Sequence, residues 1–202
     1  ADFPAFIGAT EVSWGFAVPL SAGGFTASET PQAGYSASDW GGDCAADGTV
    51  TLYVGQNKTC TITNDDIAPT LKLVKTVDNG LNQTATSVAD DFGLTADRSS
   101  GEGDASRDIS TPGGSGVFET VFANASYDLA ETSPSGYQVK TNWNCVGDGG
   151  TQVGSAITLA LDADVTCTIV NEAQGEVEIT KNTTFAGVPS NDQYAWTFGL
   201  YE

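Results

Sequence analysis

Three residue types that seldom sit on the apolar face of a strand do so repeatedly along this chain of 202 residues. Alternation along a strand places residues two apart on one face. Leu71, Leu73, Lys75 and Val77 therefore share a face, and so do Val177, Ile179 and Lys181. The same count puts Glu131 in line with Tyr127 and Leu129, and Glu29 with Phe25 and Ala27. Asn171 follows Cys167 and Ile169, just as Asn64 follows Cys60 and Ile62. Burying an ammonium or a carboxylate is costly unless the group is paired or neutralised. A buried Lys is driven to lose its proton and a buried Glu to gain one. A neutral amine facing a carboxamide beside a carboxyl group is the state in which the amine can attack the carboxamide. Lys72 shares its face with Val74 and Thr76 and is expected to be the exposed lysine of its strand.

The cysteines carry a second chemistry. There are four, with no Cys-x-x-Cys spacing and no His to complete a zinc site, so disulfides fit better than metal. Their repeated positions predict Cys44 with Cys60 and Cys145 with Cys167, with free buried thiols as the alternative. Loops of about 15 to 20 residues should each stabilise by roughly 3 kcal/mol. Trp40 and Trp143, each just ahead of a cysteine, read as core aromatics. Disulfides in turn imply an oxidising, extracytoplasmic compartment.

Other chemistries find no support. Asp65-Asp66 and Asp90-Asp91 lack the spaced ligands of a calcium loop, and no nucleotide loop, Gly-x-Ser-x-Gly elbow or His-based set is present. No cofactor or metal is expected, and no enzyme beyond a single-turnover autocatalytic bond. Asn-x-Ser/Thr matches at Asn57, Asn82, Asn124 and Asn182 arise readily in a chain this rich in Asn, Ser and Thr.

Short runs must position these residues. Val, Ile, Thr, Tyr and Phe alternate between clusters of Gly, Asp, Asn, Ser and Pro, with helical periodicity nowhere sustained. Strands are expected at 71–77, 117–123, 126–131, 156–161, 166–171 and 175–181, a spacing that means an all-β sandwich or barrel. A 40% hydrophobic content suffices for cores. The net charge of -19, from 26 acidic against 7 basic residues, argues against nucleic acid or anionic membrane as partner. No apolar run reaches membrane-span length. The absence of Met suggests a processed or excised chain.

An internal repeat sets the organisation. Glu29-Thr-Pro-Gln-Ala-Gly-Tyr35 recurs as Glu131-Thr-Ser-Pro-Ser-Gly-Tyr137, Trp40 and Cys44 recur as Trp143 and Cys145, and Cys60-Thr-Ile-Thr-Asn64 recurs as Cys167-Thr-Ile-Val-Asn171. Leu73-Val-Lys75 matches Ile179-Thr-Lys181, and Phe92-Gly-Leu94 matches Phe198-Gly-Leu200. Residues 67–172 make one whole repeat, a complete β-sandwich. Residues 1–66 read as the C-terminal part of a repeat without its first strands, and residues 173–202 as the first strands of a further one. Counting from Glu29 aligns Ala1 with Gly103, and counting from Phe198 aligns Glu202 with Ala96, which makes head and tail complementary halves.

The Lys strand, the Glu-Thr-x-Pro-x-Gly-Tyr box from Glu131 to Tyr137 and the closing strand ending in Asn resemble the collagen-adhesin B-type, SpaA-like (prealbumin-like) bacterial surface and pilin domains. The resemblance implies tandem Ig-like sandwiches in which a first-strand Lys and a last-strand Asn form an isopeptide bond, with the box Glu relaying protons as ammonia leaves. Carried over, Lys75 is the nucleophile, Asn171 the acceptor and Glu131 the acid/base. Lys181, Asn64 and Glu29 are the corresponding set for the broken ends. The first box departs from the pattern at Pro31, and the cysteines stand outside it. A purely hydrogen-bonded Lys-Glu-Asn cluster is the alternative to the bond.

A structural subunit or stalk segment of an extracellular or surface-attached filament follows from these features. Its partners are copies of itself, joined head to tail by strand complementation. Residues 173–202 of one copy would complete residues 1–66 of the next, unless the same domain forms within one longer polypeptide. The alternative is a cell-surface adhesin or ligand-binding module, suggested by the long polar stretch from Arg98 to Gly116.

Overall fold

Strict alternation over Thr70–Asp78 produces a strand that buries Leu71, Leu73 and Lys75 and turns Lys72 and Val74 partly outward. The computed structural model describes residues 2–80, 85–99 and 105–180. Lys181, the sequons at Asn82 and Asn182, and Phe198-Gly-Leu200 lie outside the described residues.

Among the described residues the regular structure is strand, apart from one short 3-10 turn. The first segment carries β1 (Ala5–Ile7), β2 (Thr10–Val12), β3 (Gly23–Glu29), β4 (Tyr35–Ala37), β5 (Gly41–Gly42), β6 (Thr49–Leu52), β7 (Cys60–Thr61) and β8 (Asn64–Asp66). The second carries β9 (Thr70–Asp78), β10 (Gly93–Arg98), β11 (Ile109–Pro112), β12 (Phe118–Thr120), β13 (Ser126–Thr132), β14 (Tyr137–Val146), β15 (Gly150–Val153), β16 (Ala156–Leu159) and β17 (Asp164–Ala173). One turn of 3-10 helix, Ala89–Asp91, precedes β10.

In the second segment, a five-stranded sheet ordered β11-β10-β13-β16-β15 faces a four-stranded sheet ordered β12-β9-β17-β14. The inward rows of both supply one core, including Leu73, Leu94, Tyr127, Ile157, Val165 and Ile169. Strands β9 and β17, the first and last of the sandwich, are parallel neighbours, with Lys75 opposite Ile169 and Val77 opposite Asn171. Cys145 lies directly across from Cys167 on β14 and β17. Disulfides close both cysteine pairs, Cys44–Cys60 across 16 residues and Cys145–Cys167 across 22. Reduction should cost the second sandwich about 3 kcal/mol. Denaturant midpoints with and without reductant check this, and an unchanged midpoint would count against it.

The first segment repeats this plan in part. Strand β1 pairs with β3 so that Ala5 meets Glu29 and Ile7 meets Ala27, the register in which β10 meets β13 through Leu94–Glu131 and Ala96–Leu129. Strand β1 therefore stands in the place of β10. This corrects the count that aligned Ala1 with Gly103: Ala5 corresponds to Leu94. The cause is loop length. Only Gly8 and Ala9 join β1 to β2, whereas residues 99–108 separate β10 from β11. Among the described residues of the first segment no strand corresponds to β9, β12 or β15. The loss of β15 follows from the cysteine loop, which is shorter by 22 − 16 = 6 residues.

The strand expected at 175–181 is also absent over its described part, residues 175–180. Its pattern is that of β9, but a lone strand has no ladder to join and is not stable in water. Val177 and Ile179 are exposed there.

Candidate functional site

Alternation on three strands brings Lys75, Glu131 and Asn171 to one point at the end of the core. Lys75 retains 5% of its exposure and Asn171 none. Lys75 Nζ donates to Glu131 Oε2 at 2.5 Å, and Asn171 Nδ2 donates to Glu131 Oε1 at 2.8 Å. A single carboxylate thus touches both the amine and the amide nitrogen that would leave. The Asn171 amide also donates to Ser133 Oγ at 2.8 Å, while its buried Oδ1 has no hydrogen-bond partner among the described residues.

Ser133 itself donates to Glu131 Oε1 at 3.1 Å. The ring of Phe92 lies 4.4 Å from Lys75 Nζ and meets Tyr137 edge-on at 5.5 Å. Tyr137 in turn donates its hydroxyl to Asn79 Oδ1, just past the end of β9. Behind the lysine, Gly113 leaves no room for a side chain, because a Cβ there would stand 2.5 Å from Lys75 Cβ. Ser133 and Gly113 carry no signal in the sequence by themselves. Phe92 does, through the repeat of Phe92-Gly-Leu94 in the tail.

Burial pushes the Lys75 ammonium below its ordinary pKa of 10.5, and the adjoining Glu131 carboxylate opposes the shift. In Asn171→Ala, where no bond to residue 171 can form, the folded state therefore binds fewer protons than the unfolded chain between the lowered and the ordinary value. Stability should rise with pH across that interval, up to about 10.5. Unfolding titrations from neutral to alkaline pH read this slope. Adding Lys75→Met should abolish it, and a slope that survives would belong to another group.

In the first segment, Glu29 and Asn64 meet in the same way, with Asn64 Nδ2 donating to Glu29 Oε2 at 3.0 Å. Pro31 occupies the place of Ser133 there, so Asn64 lacks the second acceptor. No group of three or more metal-ligating side chains is found among the described residues.

The sequence matches the profile of the prealbumin-like fold domain over residues 7–62 and again over residues 66–169. The chain belongs to that family. The first matched stretch ends, and the second begins, at the junction of the two segments. No curated protein matches the sequence.

Among solved structures, the prealbumin-like chain is similar to the major pilin T3.2 of Streptococcus pyogenes, at 13% identity and a TM-score of 0.38, over 77% of this chain and 68% of the pilin. A second similar structure is the major pilin T-13 of the same species, at 16% identity and a TM-score of 0.35, over 82% of this chain and 72% of the pilin. An adhesin of Mobiluncus mulieris, described as containing intramolecular disulfide, isopeptide and ester cross-links, matches at 13% identity and a TM-score of 0.37. That match spans 73% of this chain and 58% of the adhesin.

Proposed function

We propose that this chain is a structural segment of an extracellular bacterial filament or stalk, whose second domain locks its first strand to its last through a Lys75–Asn171 isopeptide bond. The observation that carries the reading is the shared carboxylate of Glu131, in hydrogen-bond contact with both reacting groups. As the bond between Lys75 Nζ and Asn171 Cγ forms, the bond from Cγ to Nδ2 breaks. The amine's displaced proton is relayed by Glu131 to Nδ2, and ammonia leaves. Dry surroundings favour the neutral amine that this step requires.

The location explains the mechanical value. A pull on the ends of the chain enters this domain through β9 and leaves through β17, which lie side by side. A bond between them routes the force past the rest of the sandwich. The two disulfides and the acidic surface, with a net charge of -19, suit an oxidising exterior where copies must stay soluble. Assembly is head to tail, with Glu29 and Asn64 of one copy meeting Lys181 of the next.

Stretching single molecules tests the reading. The bond withholds the 171 − 75 = 96 residues between its ends, of which the Cys145–Cys167 loop already withholds 22. Asn171→Ala should release the remaining 74, a gain of about 250 Å in contour length. Equal extension of the two proteins would sink the proposal.

A further inference from the structure

The single hydroxyl hydrogen of Ser133 decides which end of the Asn171 carboxamide this serine can meet. Ser133 follows directly on β13, whose last residue, Thr132, pairs with Gly93 of β10. The Thr132 hydroxyl also accepts from the Gly93 backbone N–H at 3.2 Å, so Ser133 extends from an anchored strand end. Its hydroxyl donates to Glu131 Oε1 at 3.1 Å and lies 2.8 Å from Asn171 Nδ2. A serine has one hydrogen to give. With that hydrogen on Glu131, Ser133 can only accept from Asn171, and only the nitrogen end of the carboxamide has a hydrogen to offer.

Glu131 by itself does not hold this orientation through the reaction. As a carboxylate it accepts from Asn171 Nδ2 at 2.8 Å and repels Oδ1. Once it has taken the Lys75 proton it is a neutral acid, a weaker acceptor and able to donate to Oδ1 itself. The buried Oδ1 has no hydrogen-bond partner among the described residues, which favours any turn of the amide that would give it a donor. Ser133 opposes that turn. The proton from Lys75 arrives on Oε2, the oxygen that faces the amine, so Oε1 goes on accepting from Ser133 and the serine goes on facing Asn171 as an acceptor.

We propose that Ser133 is a positioning residue for the bond between Lys75 and Asn171, holding the leaving nitrogen against Glu131 while the carboxyl group is neutral. The inference rests on the isopeptide reading above and deepens it. Two hydrogen bonds in the plane of the amide, one to Glu131 Oε1 and one to Ser133 Oγ, fix that plane and with it the direction from which Cγ can be attacked. Ser133 gains and loses no proton. The bond formed is still Nζ to Cγ, the bond broken Cγ to Nδ2, and the proton still passes through Glu131.

The first segment shows the same pair without such a residue. Pro31, in the place of Ser133, has no hydroxyl, and Asn64 Nδ2 is held by Glu29 Oε2 at 3.0 Å. The fold therefore builds a Glu–Asn contact without the serine. Ser133 is exposed, so water takes its place in Ser133→Ala. Water both donates and accepts, and does not choose between the two ends of an amide.

The test follows ammonia loss by intact mass as full-length chain, collected unfolded, is released into native, oxidising buffer. Ser133→Ala should slow the loss by about tenfold to a hundredfold, Ser133→Thr should recover most of the rate, and the pH profile of the rate should keep its shape. An unchanged rate in Ser133→Ala, or a threonine variant as slow as the alanine one, would overturn the inference. So would a displaced pH profile, which would mean that Ser133 sets the charge of Glu131 instead. A wild type that loses no ammonia would sink the isopeptide reading, and the orientation is read separately in Lys75→Met, which cannot react. There the Asn171 side-chain N–H hydrogens should show magnetic-resonance contacts to Ser133 and exchange slowly, and adding Ser133→Ala should speed the exchange of one of them. Asn171 hydrogens that stand away from Ser133 in Lys75→Met would overturn the inference on their own.

Discussion

Glu131→Ala is expected to leave the second domain folded but unlinked and markedly less stable. Two losses combine. The relay between Lys75 and Asn171 disappears, so the bond does not form. Lys75, whose side chain is fully buried, then faces no counter-charge, and stranding one member of a buried pair costs about 3–5 kcal/mol. Denaturant titration should show the loss, and the double variant Glu131→Ala with Lys75→Met should recover much of it, because an apolar side chain of similar length needs no partner. If Glu131→Ala matched the wild type in stability, the carboxylate would have no part in holding or joining the two strands.

Phe92→Ala is expected to weaken the second domain nearly as much. The ring is fully buried, packs edge-on against Tyr137 and faces the Lys75 ammonium at 4.4 Å. Deleting a buried Phe side chain costs about 3–5 kcal/mol, and the lost cation–π contact adds roughly 1–2 kcal/mol while the amine is charged. Phe3→Ala removes the corresponding ring from the first segment. There the ring is only partly buried, so the loss should be less than half as large. Separate unfolding transitions of the two segments would read both values. Equal losses would mean that Phe3 is as deeply packed as Phe92, contrary to its partial exposure.

The inward-facing trio was legible because its signal is local. Each of Lys75, Glu131 and Asn171 interrupts an apolar row of period two, and a polar residue in such a row stands out without knowledge of the fold. Strand β14 was not legible, since register shifts between Val139 and Thr141 and between Thr141 and Asn144 break that period. The equivalence of β1 with β10 was hidden for another reason. Ala5-Phe6-Ile7 and Leu94-Thr95-Ala96 share little but their pairing, and pairing is settled across the sheet rather than along the chain. Ser133 was missed because a serine after the box glutamate is unremarkable until the Asn171 amide is seen beside it. Residues 175–181 carry the alternation of a first strand, yet the described part, residues 175–180, forms none, because alternation alone does not make a strand without a neighbour to pair with.

The central claim, that Lys75 and Asn171 become one covalent unit beside Glu131, is tested most directly by the mass of the intact, denatured and reduced protein. The account predicts a mass lower than that of the sequence by one ammonia, with digestion recovering a branched peptide that contains both residues. A mass equal to that of the sequence, with Lys75 and Asn171 recovered in separate peptides, would contradict it.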